Sequence, residues 1–372
     1  MKDKIKNIVV FPLYLILVIV IALEIILRVY NPFAARVKGY DIILPVNEKY
    51  VIDMGNKPKF ESKIIHTKNS LGFRGEEMPK NIDSYLSIIT VGGSTTECYY
   101  NSDSLTWSYL LDKKIKQKCK NIWLNNAGLN GHSTFGHQVL LKQYLVKIKP
   151  KVLFFLIGIN DIGREELNDF DSNVVSDQAF NIKGWFLKHS EIANTILNLK
   201  RSLRAKRKLG LSHDFAIEPL DKMPHLTLSE KQSKDAINQQ KNTYLPAYRS
   251  RVQSILDICL KNNIIPVFIT QPLLYGLDKD PLTGVNLSTV KTNENQNGKL
   301  YWETLELYND EVRKIGLKSG TFVIDLAHEM PKNSLYFYDS MHFTSEGNAI
   351  VSDIIYKKSL PFLSKKFDSF CK

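Results

Sequence analysis

Five residues of this chain have the types that acyl-transfer chemistry needs. Ser94 follows the run Ile88-Ile89-Thr90-Val91-Gly92-Gly93. β-Branched residues suit a buried strand, and paired glycines let the backbone turn sharply at its end. A hydroxyl on such a turn is held out at the edge of a sheet, where a nucleophile can act. Far downstream, Asp339-Ser340-Met341-His342 sets a carboxylate three residues before an imidazole. A histidine with a reference pKa of about 6.5 can take a proton from serine, and an aspartate beside it can orient the ring and stabilise its cation. Attack on an ester carbonyl also needs donors for the oxyanion. The candidates are the backbone amides of Ser94 and Gly131 and the side-chain amide of Asn160. They belong to the blocks Asn126-Ala127-Gly128-Leu129-Asn130-Gly131 and Gly158-Ile159-Asn160-Asp161.

Taken singly, Asp-x-x-His is more often a helix-cap or surface pair, and Gly-x-Asn-Asp more often a turn. Their order and their positions after strands carry the reading. The strand before Ser94 is expected to end at Val91. Asn121–Asn125, Lys151–Ile157, Ile264–Thr270 and Thr321–Asp325 supply four more strands. Helical spacing is expected from near Ser104 to Cys119, with Asp103 or Ser104 as cap, and from a Thr134 cap to Pro150. It recurs along Val252–Leu260, around Glu303–Lys314 and from near Thr344. Strands alternating with helices imply a parallel sheet with right-handed crossovers. Such sheets gather their ligands at the carboxyl ends of the strands, so four distant segments would meet at one edge.

These blocks resemble the SGNH, or GDSL-type, hydrolase family. Its first block is similar to Gly92-Gly93-Ser94-Thr95, and its second carries the glycine matched by Gly131. Its third resembles Gly158–Asp161 and its fifth Asp339–His342. The resemblance implies Ser94 as nucleophile, Asp339 and His342 as triad acid and base, and Ser94, Gly131 and Asn160 as oxyanion donors. It implies a flavodoxin-like three-layer α/β/α sandwich, expected here with a five-stranded parallel sheet over about 87–372. Gly93 departs from the aspartate of the name-giving motif. Members with that departure, an N-terminal anchor and a segment similar to Asn69–Gly75 resemble cell-envelope proteins acting on acylated carbohydrates.

Two further regions are expected. Residues 8–27 are apolar except for Glu24, and about twenty helical residues rise ~30 Å, enough to cross a bilayer core. We read 1–30 as an uncleaved membrane anchor and 31–86 as a connector packing on the main domain, with Asn69–Gly75 a turn-rich surface segment. Lys2, Lys4 and Lys6 precede the run and Arg28, Arg36 and Lys38 follow it, so the charge rule is nearly balanced; the expectation is an extracytoplasmic main domain. Residues 163–245 read as a largely helical insertion without clear strands. Its basic stretch Lys200, Arg201, Arg204, Lys206, Arg207 and Lys208 is a candidate contact for anionic lipid or glycan.

The composition bounds the partners. The 372 residues carry a formal charge of +12 and are 44% hydrophobic, enough for a core. The charge suits a membrane surface or an acidic polymer. Cys98, Cys119, Cys259 and Cys371 form no zinc-like pairs, and Cys98 reads as a small apolar filler. The eight histidines make no ligand pattern, although His132 and His137 flank the second block. No metal, cofactor or nucleic acid is expected. Tyr336, Phe337 and Tyr338 suit either sugar stacking or the core. The expectation is a membrane-anchored serine esterase removing O-acetyl groups from an extracytoplasmic glycan. The alternatives are an O-acetyltransferase using the same residues and a non-catalytic envelope scaffold.

Overall fold

The computed structural model describes residues 2–31, 37–38, 41–164, 187, 189–209 and 218–371, with only the backbone at 2–9, 37–38 and 201–209. The chain divides into two compact units. One comprises Met1–Ile43 with Asn168–Asp214, the other Leu44–Leu167 with Phe215–Lys372.

The larger unit is built on a six-stranded sheet. Its strands are β1 (Arg74–Gly75), β2 (Leu86–Gly92), β3 (Ile122–Asn126), β4 (Val152–Ile157), β5 (Ile265–Thr270) and β6 (Val323–Ile324). Their order is β6-β5-β4-β2-β3-β1. Five are parallel, and β1 runs antiparallel to β3, with Arg74 opposite Asn126. The expected all-parallel, five-stranded sheet is therefore a mixed one. A two-residue strand is too short to show alternation in the sequence. Asn69–Gly75 is accordingly no surface turn: Asn69, Phe73 and Arg74 are buried.

β2 lies between β3 and β4, so the chain leaves it first to one side and then returns to the other. That switch point opens a crevice at the carboxyl end of β2, where Ser94 stands. β2 and β4 are buried at every position, as strands covered on both faces must be. Helix Trp107–Lys116 packs on Ser345–Lys366, while Leu245–Lys261 packs on Thr134–Leu140 and Gly298–Ser319. Trp107, Leu111, Ile115, Ile88, Phe154, Val267, Val351 and Ile355 share one core.

Helix caps differ from expectation by a residue or more. Thr106, rather than Asp103 or Ser104, caps Trp107–Lys116 by accepting from the Tyr109 N–H. Asp103–Leu105 forms a separate 3-10 turn because Asp103 is engaged elsewhere, taking the Thr67 N–H and hydroxyl. Ser133 caps the helix beginning at Thr134. The segment beyond Thr270 contains a short hairpin, Lys291–Asn293 with Gln296–Asn297. Cys119 and Cys371 form a disulfide that joins the end of the chain to the segment after Trp107–Lys116. Cys98 is a buried free thiol within the core.

The smaller unit holds helix Lys2–Val29, whose stretch Val10–Val29 has a mean hydropathy of 2.9 and the length to cross a membrane. Glu24, which with Arg28 is charged within that run, accepts the N–H groups of Glu191 and Ile192 at 2.9 and 3.2 Å. It thereby caps helix Glu191–Leu209, whose orphan donors favour an anion. The basic stretch lies on this helix. The side chains of Arg201, Arg204, Lys206, Arg207 and Lys208 fall outside the described residues.

Candidate active site

β2 passes directly into a four-residue helix, Ser94–Glu97, so Ser94 occupies its first turn. Both preceding glycines are enforced by close approach. A Cβ at Gly92 would lie 2.7 Å from the Leu156 carbonyl oxygen, and one at Gly93 would lie 2.3 Å from Asn160 Nδ2. A side chain at position 93 would have to displace the end of the Asn160 amide. The far end of the short helix is held by Arg74. Its Nη1 donates to the carbonyls of Glu97 and Cys98 at 2.7 and 2.8 Å, and its Nη2 to that of Asn101 at 2.8 Å. A planar guanidinium suits such a cluster of terminal carbonyls.

The fifth block comes to the same place. His342 Nε2 lies 2.7 Å from Ser94 Oγ, and Asp339 Oδ2 lies 2.6 Å from His342 Nδ1. A carboxylate only accepts, so Nδ1 carries the proton and Nε2 is free to accept from the serine hydroxyl. The other oxygen, Asp339 Oδ1, accepts the N–H groups of Met341 and His342 at 2.9 and 2.8 Å. Burial pushes the Asp339 carboxyl up, but the His342 charge and these hydrogen bonds outweigh it and hold it below the usual carboxylate range. The Tyr338 ring stacks on the imidazole, 5.3 Å between centroids and 7° between planes.

The second and third blocks flank the serine. Asn160 Nδ2 donates to the His132 carbonyl at 2.9 Å, which leaves its second proton for another acceptor. Gly131, one residue before, adopts a φ of +77°, a conformation that favours glycine. Its neighbour Asn130 donates its N–H to Glu97 Oε2 at 2.6 Å. Glu97 is itself paired with Lys68 at 3.3 Å, both fully enclosed. Behind the third block, Asp161 accepts from Thr134 N and pairs with Arg251 Nη2, each at 3.2 Å. Residues 90–350 match the model of the GDSL-like lipase/acylhydrolase family.

The chain belongs to that family. No curated protein sequence matches it. Among solved structures this acylhydrolase is similar to an acetyl xylan esterase, AlAXEase, at 14% identity and a TM-score of 0.41, covering 73% of this chain and 98% of that one. It is similar to the acetylxylan esterase Axe2 of Geobacillus stearothermophilus at 12%, with a TM-score of 0.42, covering 73% and 92%. A putative GDSL-like lipase of Parabacteroides merdae aligns at 11% and 0.43, covering 74% and 96%.

The structure thus gathers Ser94, Asp339 and His342 in one hydrogen-bonded chain, with Asn160 against Gly93. A serine so placed can be deprotonated as it attacks an acyl carbon. Of the aromatic triplet, Phe337 is buried at 1% exposure in the core, Tyr338 covers the imidazole, and Tyr336 is half-buried. Among the described residues no grouping of His, Cys, Asp and Glu could hold a metal ion. His132 and His137 stack on each other at 6.2 Å. Sequence reading missed the supports Lys68, Arg74, Glu97 and Arg251, because charged residues carry no periodic signal that marks them as buried.

Proposed function

We propose that this acylhydrolase is a serine esterase that removes O-acetyl groups from an extracytoplasmic glycan, anchored by helix Lys2–Val29. The observation that supports it is the chain from Asp339 through His342 to Ser94, with contacts of 2.6 and 2.7 Å. Ser94 Oγ attacks the acetyl carbonyl as His342 Nε2 takes its proton. The oxyanion is met by the N–H groups of Ser94 and Gly131 and the free amide proton of Asn160. The sugar hydroxyl leaves with the proton from His342, and water, deprotonated by the same imidazole, frees acetate. Asp339 stabilises the imidazolium at both steps. The Cys119–Cys371 disulfide supports placement in an oxidising compartment, where such bonds persist.

Ser94→Ala should lower hydrolysis of a small acetyl ester by at least ~10³-fold and leave the melting temperature unchanged. It should also abolish labelling by a fluorophosphonate. Turnover equal to wild type would remove the esterase reading. Mass analysis of an acetylated oligosaccharide after incubation separates hydrolysis from acyl transfer: free acetate supports the esterase, and acetyl groups moved to an added sugar acceptor support the O-acetyltransferase.

A further inference from the structure

The hairpin Lys49–Asp53 with Lys63–Thr67 precedes the family match at 90–350, yet its loop reaches both halves of the site. At its base, Ile65 N donates to Ser102 Oγ at 3.1 Å, and Thr67 N to Asp103 Oδ2 at 3.0 Å. In the loop itself, Glu61 Oε2 accepts the Ser102 N–H at 3.1 Å. All three contacts fall on the segment just after the Ser94 helix. Two residues earlier, Lys59 turns the other way. Its Nζ donates to the carbonyls of Ser334 and Phe337 at 2.8 and 2.9 Å, on the segment that leads into Asp339 and His342.

Phe60 repeats the pattern with a ring. It packs on Tyr338 at 4.9 Å and on Tyr100 at 6.3 Å, edge to face. Tyr338 in turn lies flat on the His342 imidazole, whereas Tyr100 follows the Ser94 helix. The backbone at Lys59 has φ +70°, a left-handed conformation that a non-glycine residue adopts at a cost. That cost is met where the loop must send consecutive side chains to the histidine segment. Partial desolvation of the Lys59 ammonium at this contact lowers its pKa, and the carboxylates of Asp280 and Asp339 oppose that effect, although the residue as a whole is exposed. Asp280 holds the same segment from its other side, accepting from Ser334 N and Oγ at 2.7 and 2.8 Å.

We propose that Lys59 and Phe60 are positioning residues that set the His342 ring against Ser94, making this hairpin a brace between the nucleophile and base segments. The proposal rests on the esterase reading. Proton transfer needs the imidazole within hydrogen-bond reach of the serine, and small misplacement is costly to rate. The hairpin touches neither reacting atom, so it acts on kcat through ring placement rather than on acyl binding.

The test uses the full-length protein, 4-nitrophenyl acetate and a fluorophosphonate probe. Lys59→Met removes the ammonium and keeps the stem; Phe60→Leu keeps apolar volume and removes the ring. Each should lower kcat about tenfold with KM within about twofold, and slow probe labelling about equally, in variants that remain folded at the assay temperature. Folded variants with wild-type kcat and labelling rate would overturn the brace and leave the esterase intact. A wild-type protein inert to both reagents would overturn the esterase reading and the brace with it. If Lys59→Met does not fold, Phe60→Leu decides by the same two readouts.

Discussion

A single carboxylate explains why Asp339 and His342 stand three residues apart. Oδ1 closes the turn onto the N–H groups of Met341 and His342, and Oδ2 is left for the ring. Asp339→Asn should keep the turn but lose the acceptor that selects the tautomer, lowering kcat by ~10²–10⁴-fold in a steady-state ester assay. The spacing alone is not enough. Asp325 and His328 share it and lie 2.7 Å apart, but they face Arg313 and Glu306 in a largely half-buried ion cluster away from the Ser94 hydroxyl's partner His342. Asp280 makes a residue-scale prediction about pH. Burial pushes its carboxyl up, yet hydrogen bonds from Thr283 and Ser334 bring it below the ordinary value. A depressed carboxyl contributes stability above its unfolded pKa of about 3.9, and loses it as pH falls through the lower folded value. Urea midpoints of the wild type should therefore drop between about pH 5 and pH 3, and Asp280→Asn should flatten that drop.

Elements matter here through their ends. The base sits two residues before Thr344, whose hydroxyl accepts the Gly347 N–H at 3.0 Å and donates to the Leu335 carbonyl at 2.8 Å. It starts the last helix and ties it to the segment that carries Asp339. Thr344→Ala should cost about 1–2 kcal/mol in chemical denaturation, the loss of a buried cap. The third block is fixed differently, by the buried pair of Asp161 with Arg251. Arg251 also lies over the Phe135 ring at 3.9 Å and donates to Thr134 Oγ1 at 2.7 Å. Arg251→Met leaves the enclosed carboxylate with the Thr134 hydrogen bonds but without its cation, and should destabilise by about 3 kcal/mol, read as a lower urea midpoint.

For the whole molecule the disulfide is the long covalent tie. It joins positions 252 residues apart and fastens the end of the chain beside helix Trp107–Lys116. Closing so long a loop is worth about 5 kcal/mol in the chain-entropy account, spent on the unfolded state. Melting with and without reductant should show a clear drop for the wild type and none for Cys371→Ser.

The order of the four blocks, the five parallel strands and the apolar N-terminal run were legible from residue types. β-Branched runs, glycine turns and a twenty-residue hydrophobic stretch are local signals that need no partner to be read. The antiparallel strand Arg74–Gly75, the Cys119–Cys371 pairing and the burial of Lys68 with Glu97 were decided only by tertiary structure. So was the reach of Lys59 and Phe60 to the histidine segment. Each of these joins residues far apart along the chain, and their worth comes from desolvation and geometry that exist only once the sheet has assembled. Residue pattern and the family resemblance named Ser94, Asp339 and His342; long-range packing brought them together, while Asp325 with His328, equally spaced, hydrogen-bonds in another cluster.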